Sequence, residues 1–254
     1  MDLPVNHFKH ALRQGKPQIG LWNSLNSYVT TEVIAGAGYD WILIDTEHSP
    51  NDIAGLHQQL QAMMENPLST PVVRPPWNDM VTIKRYLDVG CQSLLIPYVQ
   101  NADEAADAVR FTRYPPHGVR GISGSSRSSR FGRVKNYLAQ ASKELCLLVQ
   151  TETIEAIGQI EKMAAVDGVD GIFIGPGDLS ASMGYLGQLS HPEVLKVIDD
   201  AVVRIKKTGK AAGILTPDET LAKRWLALGA TFVAVGMDTG LLARGAEALR
   251  AKFK

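Results

Sequence analysis

Eight short apolar runs, each followed by a stretch with helical spacing, constrain this chain more than anything else in it. The runs are Ile19–Trp22, Trp41–Asp45, Pro71–Arg74, Ser93–Pro97, Leu145–Gln150, Gly171–Ile174, Ala211–Leu215 and Phe232–Val235. Each is four to six residues long and almost continuously apolar, as expected of parallel strands buried on both faces. Between them, Thr30–Ala37, Asn51–Met64, Met80–Val89, Asn101–Arg113, Thr153–Ala165, His191–Lys207 and Thr216–Ala227 carry apolar residues three and four apart, the period of an amphipathic helix. Glycine marks the return from helix to strand at Gly38, Gly90, Gly168, Gly209 and Gly229, where a left-handed C-cap turns the chain. Strict alternation of eight such units predicts an α/β fold of the (β/α)₈ TIM-barrel type, one domain over residues 1–254. An open doubly wound sheet would carry a glycine-rich loop after its first strand, and none follows Trp22.

The rhythm breaks once. An insert at about 98–144 separates the fourth and fifth strands and holds Pro115-Pro116-His117-Gly118 and a run rich in Ser, Gly and Arg, with a helix expected at Lys135–Ser142. It reads either as a solvated loop or as a lid beside an active site, with Arg120, Arg127 or Arg130 meeting an acidic substrate. A C-terminal helix, Thr239–Phe253, shows an apolar stripe of Leu241, Leu242, Ala246 and Leu249. The stripe would suit a neighbouring subunit or the chain's own barrel.

Composition matters mainly for what it excludes. Acidic and basic residues balance at 26 each, which argues against nucleic acid or an anionic membrane as partner. The stretch Met1–Gly15 lacks the apolar core of a signal peptide, and no apolar run approaches the ~20 residues of a membrane span. The two cysteines, Cys91 and Cys146, are too few for a disulfide framework, so a cytoplasmic location is expected.

In a β/α barrel, chemistry sits at the C-terminal ends of the strands. The second strand there ends in Asp45-Thr46-Glu47-His48, the third in Arg74, the fifth in Gln150-Thr151-Glu152, and the sixth is followed by Gly175-Pro176-Gly177-Asp178. Glu152 and Asp178 offer carboxylate oxygens while leaving positions open, an arrangement suited to Mg²⁺ or Mn²⁺. His48 follows directly from a strand with acids beside it and is a candidate base. Arg74, stiffened by Pro75-Pro76, could hold the oxygens of a 2-oxo acid in a guanidinium fork. No lysine stands at a C-terminal strand end, which argues against Schiff-base chemistry.

Taken together, Gly20-Leu21-Trp22, Ala35–Trp41, Ile44–His48, Val73-Arg74-Pro75, Trp77-Asn78-Asp79, Arg113–Pro116, Val149–Thr153 and Ile174–Ser180 resemble the metal-dependent (class II) pyruvate aldolases of the 4-hydroxy-2-oxoheptanedioate aldolase type. The resemblance runs through nearly the whole chain and implies a barrel of the phosphoenolpyruvate/pyruvate-binding type. It also implies cleavage of a 4-hydroxy-2-oxo acid to pyruvate and an aldehyde, with succinate semialdehyde as the lead. The divalent metal would be Mg²⁺, Mn²⁺ or Co²⁺, and the assembly a homohexamer built as a dimer of trimers.

By the same resemblance His48 is the general base, Arg74 stabilises the enolate, and Glu152 and Asp178 hold the metal. Gln150 and the Gly177-Asp178 backbone contact the pyruvyl group, and Asp88 supports the histidine. Asp45 and Glu47 are candidates for positioning water and His48. Thr46, where a smaller residue is expected, and Gly177, where alanine is common, depart from the pattern without removing a catalytic group. Aldolases of 2-dehydro-3-deoxyglucarate or 2-keto-3-deoxyrhamnonate, an acyl-CoA lyase and a non-catalytic binding protein are the alternatives.

Overall fold

A computed structural model describes residues 1–66 and 69–253. Eight parallel strands close into a barrel in sequence order: β1 (Gln18–Asn23), β2 (Trp41–Asp45), β3 (Thr70–Arg74), β4 (Ser93–Ile96), β5 (Cys146–Thr151), β6 (Gly171–Ile174), β7 (Ala211–Leu215) and β8 (Phe232–Met237). The barrel expected from the sequence is present, and each expected strand overlaps an observed one. The helices in chain order are α1 (His7–Arg13), α2 (Tyr28–Ala35), α3 (Ile53–Ala62), α4 (Met80–Asp88), α5 (Ala102–Thr112), α6 (Tyr137–Gln140), α7 (Ile154–Ile157), α8 (Ile160–Ala165), α9 (Pro176–Ser182), α10 (Pro192–Lys207), α11 (Glu219–Leu228) and α12 (Asp238–Ala251).

Side-chain caps start the main helices. Ser27, Asp52, Asp79, Asn101, Thr153 and Asp218 each accept from a backbone N–H in the first turn of the helix that follows, replacing an acceptor the helix cannot supply itself. At the far end of α11, Gly229 (φ 113°) adopts the left-handed turn into β8. The expected helix Thr153–Ala165 is two pieces, α7 and α8, broken at Gly158-Gln159.

Strand parity sorts the interior from the wrapping. Trp22, Trp41, Leu43, Val72, Leu95, Leu148, Phe173 and Phe232 fill the barrel, with Phe8 of α1 plugging its floor. Ile42, Ile44, Val73, Leu94, Leu147, Val149, Ile172 and Ile174 face the surrounding helices. The same parity carries Asp45, Arg74 and Gln150 inward at the strands' C-terminal ends, and Asp45 lies directly beside Arg74 in the β2–β3 register.

The lid expectation for the 98–144 insert does not hold within the chain. Its first part is the ordinary loop and helix α5, which returns to the floor of the barrel; the extra residues therefore join α5 to β5 on the face opposite the strand C-termini. There Arg127 donates to the Val89 carbonyl (2.7 Å). Arg120, fully buried, pairs with Asp88 (2.9 Å) and lies over the Tyr114 ring (4.5 Å). The helix expected at Lys135–Ser142 is reduced to α6, followed directly by a 3₁₀ turn at Ala141–Lys143.

Candidate active site

Arg74 is the centre of the mouth. Its Nε and Nη2 donate to the two oxygens of Asp45 (2.9 and 2.8 Å), a fork-to-fork pair. Its Nη1 lies 3.0 Å from Glu47 Oε2, an ionic contact not aligned as a hydrogen bond. Its guanidinium carbon sits 4.9 Å from the Trp22 ring centre. Burial pushes the Asp45 carboxyl up, but the hydrogen bonds and charge of Arg74 outweigh burial and hold its pKa below the usual range. Asp45 is thus an anion that locks Arg74 in one orientation.

The second group lies across the mouth. Glu152, buried just past β5, accepts from the Tyr98 backbone N–H (2.9 Å) and the Gln150 amide (2.5 Å). A Cβ on Gly175 would overlap its Oε2, so glycine there admits the carboxylate. Burial raises the Glu152 pKa to about 7, with the charges of Asp178 and Glu47 adding to the rise and the two hydrogen bonds opposing it. Burial likewise raises the pKa of Glu47, against Arg74 and with Asp45 and Asp178. The negative charges of Glu47 and Asp178 thus both act on Glu152, and the nearby cation, Arg74, is engaged by Asp45 and Glu47. Asp178 stands exposed in the first turn of α9.

That surplus of oxygen donors fits a hard divalent cation. Gln150 Oε1, buried and without a partner, adds an unused oxygen beside them. No set of three or more His, Cys, Asp or Glu side chains gathers in metal-holding geometry among the described residues.

Residues 18–245 match the HpcH/HpaI aldolase/citrate lyase family. The chain belongs to this family. A pyruvate aldolase of Rhizobium etli is 59% identical over 253 residues, covering 100% of this chain and 99% of that one. A 4-hydroxy-2-oxo-heptane-1,7-dioate aldolase of Escherichia coli is 58% identical over 249 residues, 98% of this chain and 95% of that one. The crystal structure of an HpcH/HpaI aldolase/citrate lyase family protein from Burkholderia cenocepacia superposes with a TM-score of 0.94 at 38% identity, covering 98% of this chain and 100% of that one. Membership places the chain among carbon–carbon lyases.

For an HpcH/HpaI family member, the structure brings Asp45, Glu47, Arg74, Gln150 and Glu152 into one mouth, with Asp178 near enough for its charge to act on Glu47 and Glu152. Gly177 lies exposed beside Asp178. His48 projects from the rim with 69% of its side chain exposed, 3.9 Å from Glu47 Oε2. Asp88 is the exception. It is the last residue of α4, and a helix that leaves the mouth ends on the barrel floor. Its partner there is Arg120, so within one chain Asp88 does not support His48.

Two rim residues were not expected. Tyr98 and Trp77 stack with ring centres 5.8 Å apart at 27°. Tyr98 holds a left-handed backbone (φ 54°) while its N–H reaches Glu152, a conformation rare for a bulky residue. Its only sequence signal was its place just beyond a strand end.

Proposed function

We propose that the chain catalyses the divalent-metal-dependent, reversible cleavage of 4-hydroxy-2-oxo acids to pyruvate and an aldehyde, with 4-hydroxy-2-oxoheptanedioate, which yields succinate semialdehyde, as lead substrate. The observation that carries this reading is the presence, at the same C-terminal end of the barrel, of an Asp45-locked guanidinium and the buried, proton-retaining carboxyl group of Glu152. The names of the two relatives, a pyruvate aldolase and a heptanedioate aldolase, support it.

Glu152 and Asp178 would hold the cation, Mg²⁺, Mn²⁺ or Co²⁺. It would supply Lewis-acid polarisation of the 2-oxo group and a counter-charge for the enolate. The chain's own groups then divide the work. In cleavage, His48 takes the proton of the C4 hydroxyl, and the C3–C4 bond breaks to give the aldehyde and pyruvate enolate. Arg74 has five N–H groups; those on Nη1 and Nη2 not turned to Asp45 or Glu47 donate to the enolate oxygen. Because Asp45 fixes the guanidinium beforehand, little reorganisation is needed as charge develops. The first-turn N–H groups of Gly177 and Asp178 have no intrahelical acceptor and are available to the substrate carboxylate. Gln150 orients Glu152 by its amide. His48 returns its proton to C3 of the enolate, completing pyruvate.

The test is pyruvate release from a 4-hydroxy-2-oxo acid, with and without chelator. Loss of release in chelator and its return on adding Mn²⁺ are expected; full activity in chelator would remove the metal. A His48→Ala variant with normal turnover would remove His48 as the base.

Assembly follows from α12. Of its 14 residues only Asp238 is buried, while Leu241, Leu242 and Leu249 lie in solvent. A helix with so much apolar surface is read as docking on a neighbouring copy, in line with the homohexamer implied by the resemblance. Sedimentation of a Leu241→Asp/Leu249→Asp variant should show a smaller species than the wild type. The two buried free cysteines fit a reducing, cytoplasmic setting, and no helix among the described residues is long and apolar enough to cross a membrane.

A further inference from the structure

The acceptor half of the mouth has a chemistry of its own. The connections leaving the strand C-termini contain no lysine and no arginine; Arg74, the last residue of β3, is the nearest guanidinium, and Asp45 and Glu47 already hold it. Those connections instead carry Glu47, Asp52, Asp79, Glu152, Asp178 and Asp218. A second carboxylate at the far end of a substrate would therefore find no lysine and no unengaged guanidinium of this chain in these connections.

What the rim offers is an aromatic wall. Trp77 is 55% exposed and Tyr98 41%, yet neither is loosely held. They stack on each other. Asn78, next to Trp77, donates to the Glu104 carbonyl of α5 (3.0 Å), and the Tyr98 backbone is tied to Glu152 (2.9 Å). The wall thus stands on the same rim as Glu152, tied to it through the left-handed Tyr98 backbone. Exposed, preorganised aromatic faces bind flat apolar groups by stacking.

We infer that Trp77 and Tyr98 form an acceptor subsite for uncharged aryl aldehydes, so that the chain joins pyruvate to benzaldehyde-type acceptors as well as to aliphatic ones. This rests on the pyruvate-aldolase reading above. In the forward step the pyruvate methyl loses a proton to the base. The enolate carbon then bonds to the aldehyde carbon, and the former carbonyl oxygen takes up the proton. No other reactant is needed.

The experiment uses full-length protein with Mn²⁺, pyruvate, and benzaldehyde or succinate semialdehyde. The quantity read is the ratio of the two kcat/KM values, which cancels any general loss of activity or folding. Deuterium exchange into the pyruvate methyl without aldehyde reports the donor half separately.

In the wild type, 4-hydroxy-2-oxo-4-phenylbutanoate should form. The benzaldehyde-to-semialdehyde ratio should fall about three- to tenfold in Trp77→Ala and again in Tyr98→Asn. Asparagine tolerates the left-handed backbone, so the second variant keeps the tie to Glu152. Deuterium exchange without any phenyl product, or a ratio unmoved by both substitutions, overturns the subsite alone. Absence of exchange overturns the aldolase reading and the subsite with it.

Discussion

Replacing Glu152 by glutamine should stabilise the protein by an amount that grows as pH rises above about 4.5 and levels off above about 7. The carboxyl binds its proton more tightly in the folded chain, with a pKa of about 7 against an ordinary 4.5. Folding therefore takes up a proton between those values. The stability this provides is fully present below about 4.5 and is lost as pH rises to about 7. At roughly 1.4 kcal/mol for each pKa unit, the ionised carboxylate costs the folded state about 3 kcal/mol at pH 8. Glutamine removes that cost. It keeps one acceptor for the Tyr98 N–H, and its new amide donor can meet Gln150 Oε1, now without a partner, if the Gln150 amide turns over.

For a chain of this length about 3 kcal/mol corresponds to roughly 6–12 °C in Tm. The assay is thermal unfolding of wild type and Glu152→Gln in chelator from pH 4.5 to 8. The two Tm curves should start together and diverge upward in pH, with the variant higher. Added Mn²⁺ at pH 8 should raise the wild type far more than the variant, because the cation supplies the charge that the carboxylate lacks. Parallel curves across the range would refute the argument that burial among Glu47 and Asp178 makes this carboxylate costly.

Other positions carry their own expectations. Arg74→Lys loses the two-point grip on Asp45 and should lower kcat about a hundredfold with the fold intact by circular dichroism, since an ammonium cannot reproduce the fork. Gly175→Ala drives a methyl into Glu152 Oε2 and should weaken Mn²⁺ binding about tenfold by calorimetric titration. Gly20→Ala sets a methyl against the Trp41 ring inside the barrel and should cost about 1–3 kcal/mol in urea unfolding without changing metal affinity.

The barrel was legible because its signals are local: apolar runs of strand length, capping side chains and glycine returns all lie within a few residues of what they specify. The mouth was legible for the same reason, since strand parity carries Asp45, Arg74 and Gln150 inward once the strands are placed. The insert was left between a solvated loop and a lid although its place was readable. A segment that follows helix α5 joins a helix to a strand, and such joints lie on the floor. The same connectivity puts Asp88, the last residue of α4, away from His48. Helix α1 left only Phe8 and Leu12, four residues apart, as its trace. Tyr98 left only its place just beyond β4, because its left-handed backbone goes with a bond to Glu152, a residue far away in sequence.

The barrel has no seam only because β8 lies against β1, with Gln18 beside Phe232. On the ribosome that pairing is the last to become possible. Until β8 emerges, the nascent sheet presents two unprotected parallel edges, β1 and β7, each a template for another chain. A message truncated shortly after Leu215 would therefore yield an unclosed seven-stranded sheet with adhesive edges. Asp238, two residues past the Val235-Gly236 pair, bonds to the backbone N–H groups of Ser24 and Leu25 (3.0 and 2.8 Å). That contact latches the first turn of α12 to the exit of β1, so closing the barrel and seating the start of α12 are one event.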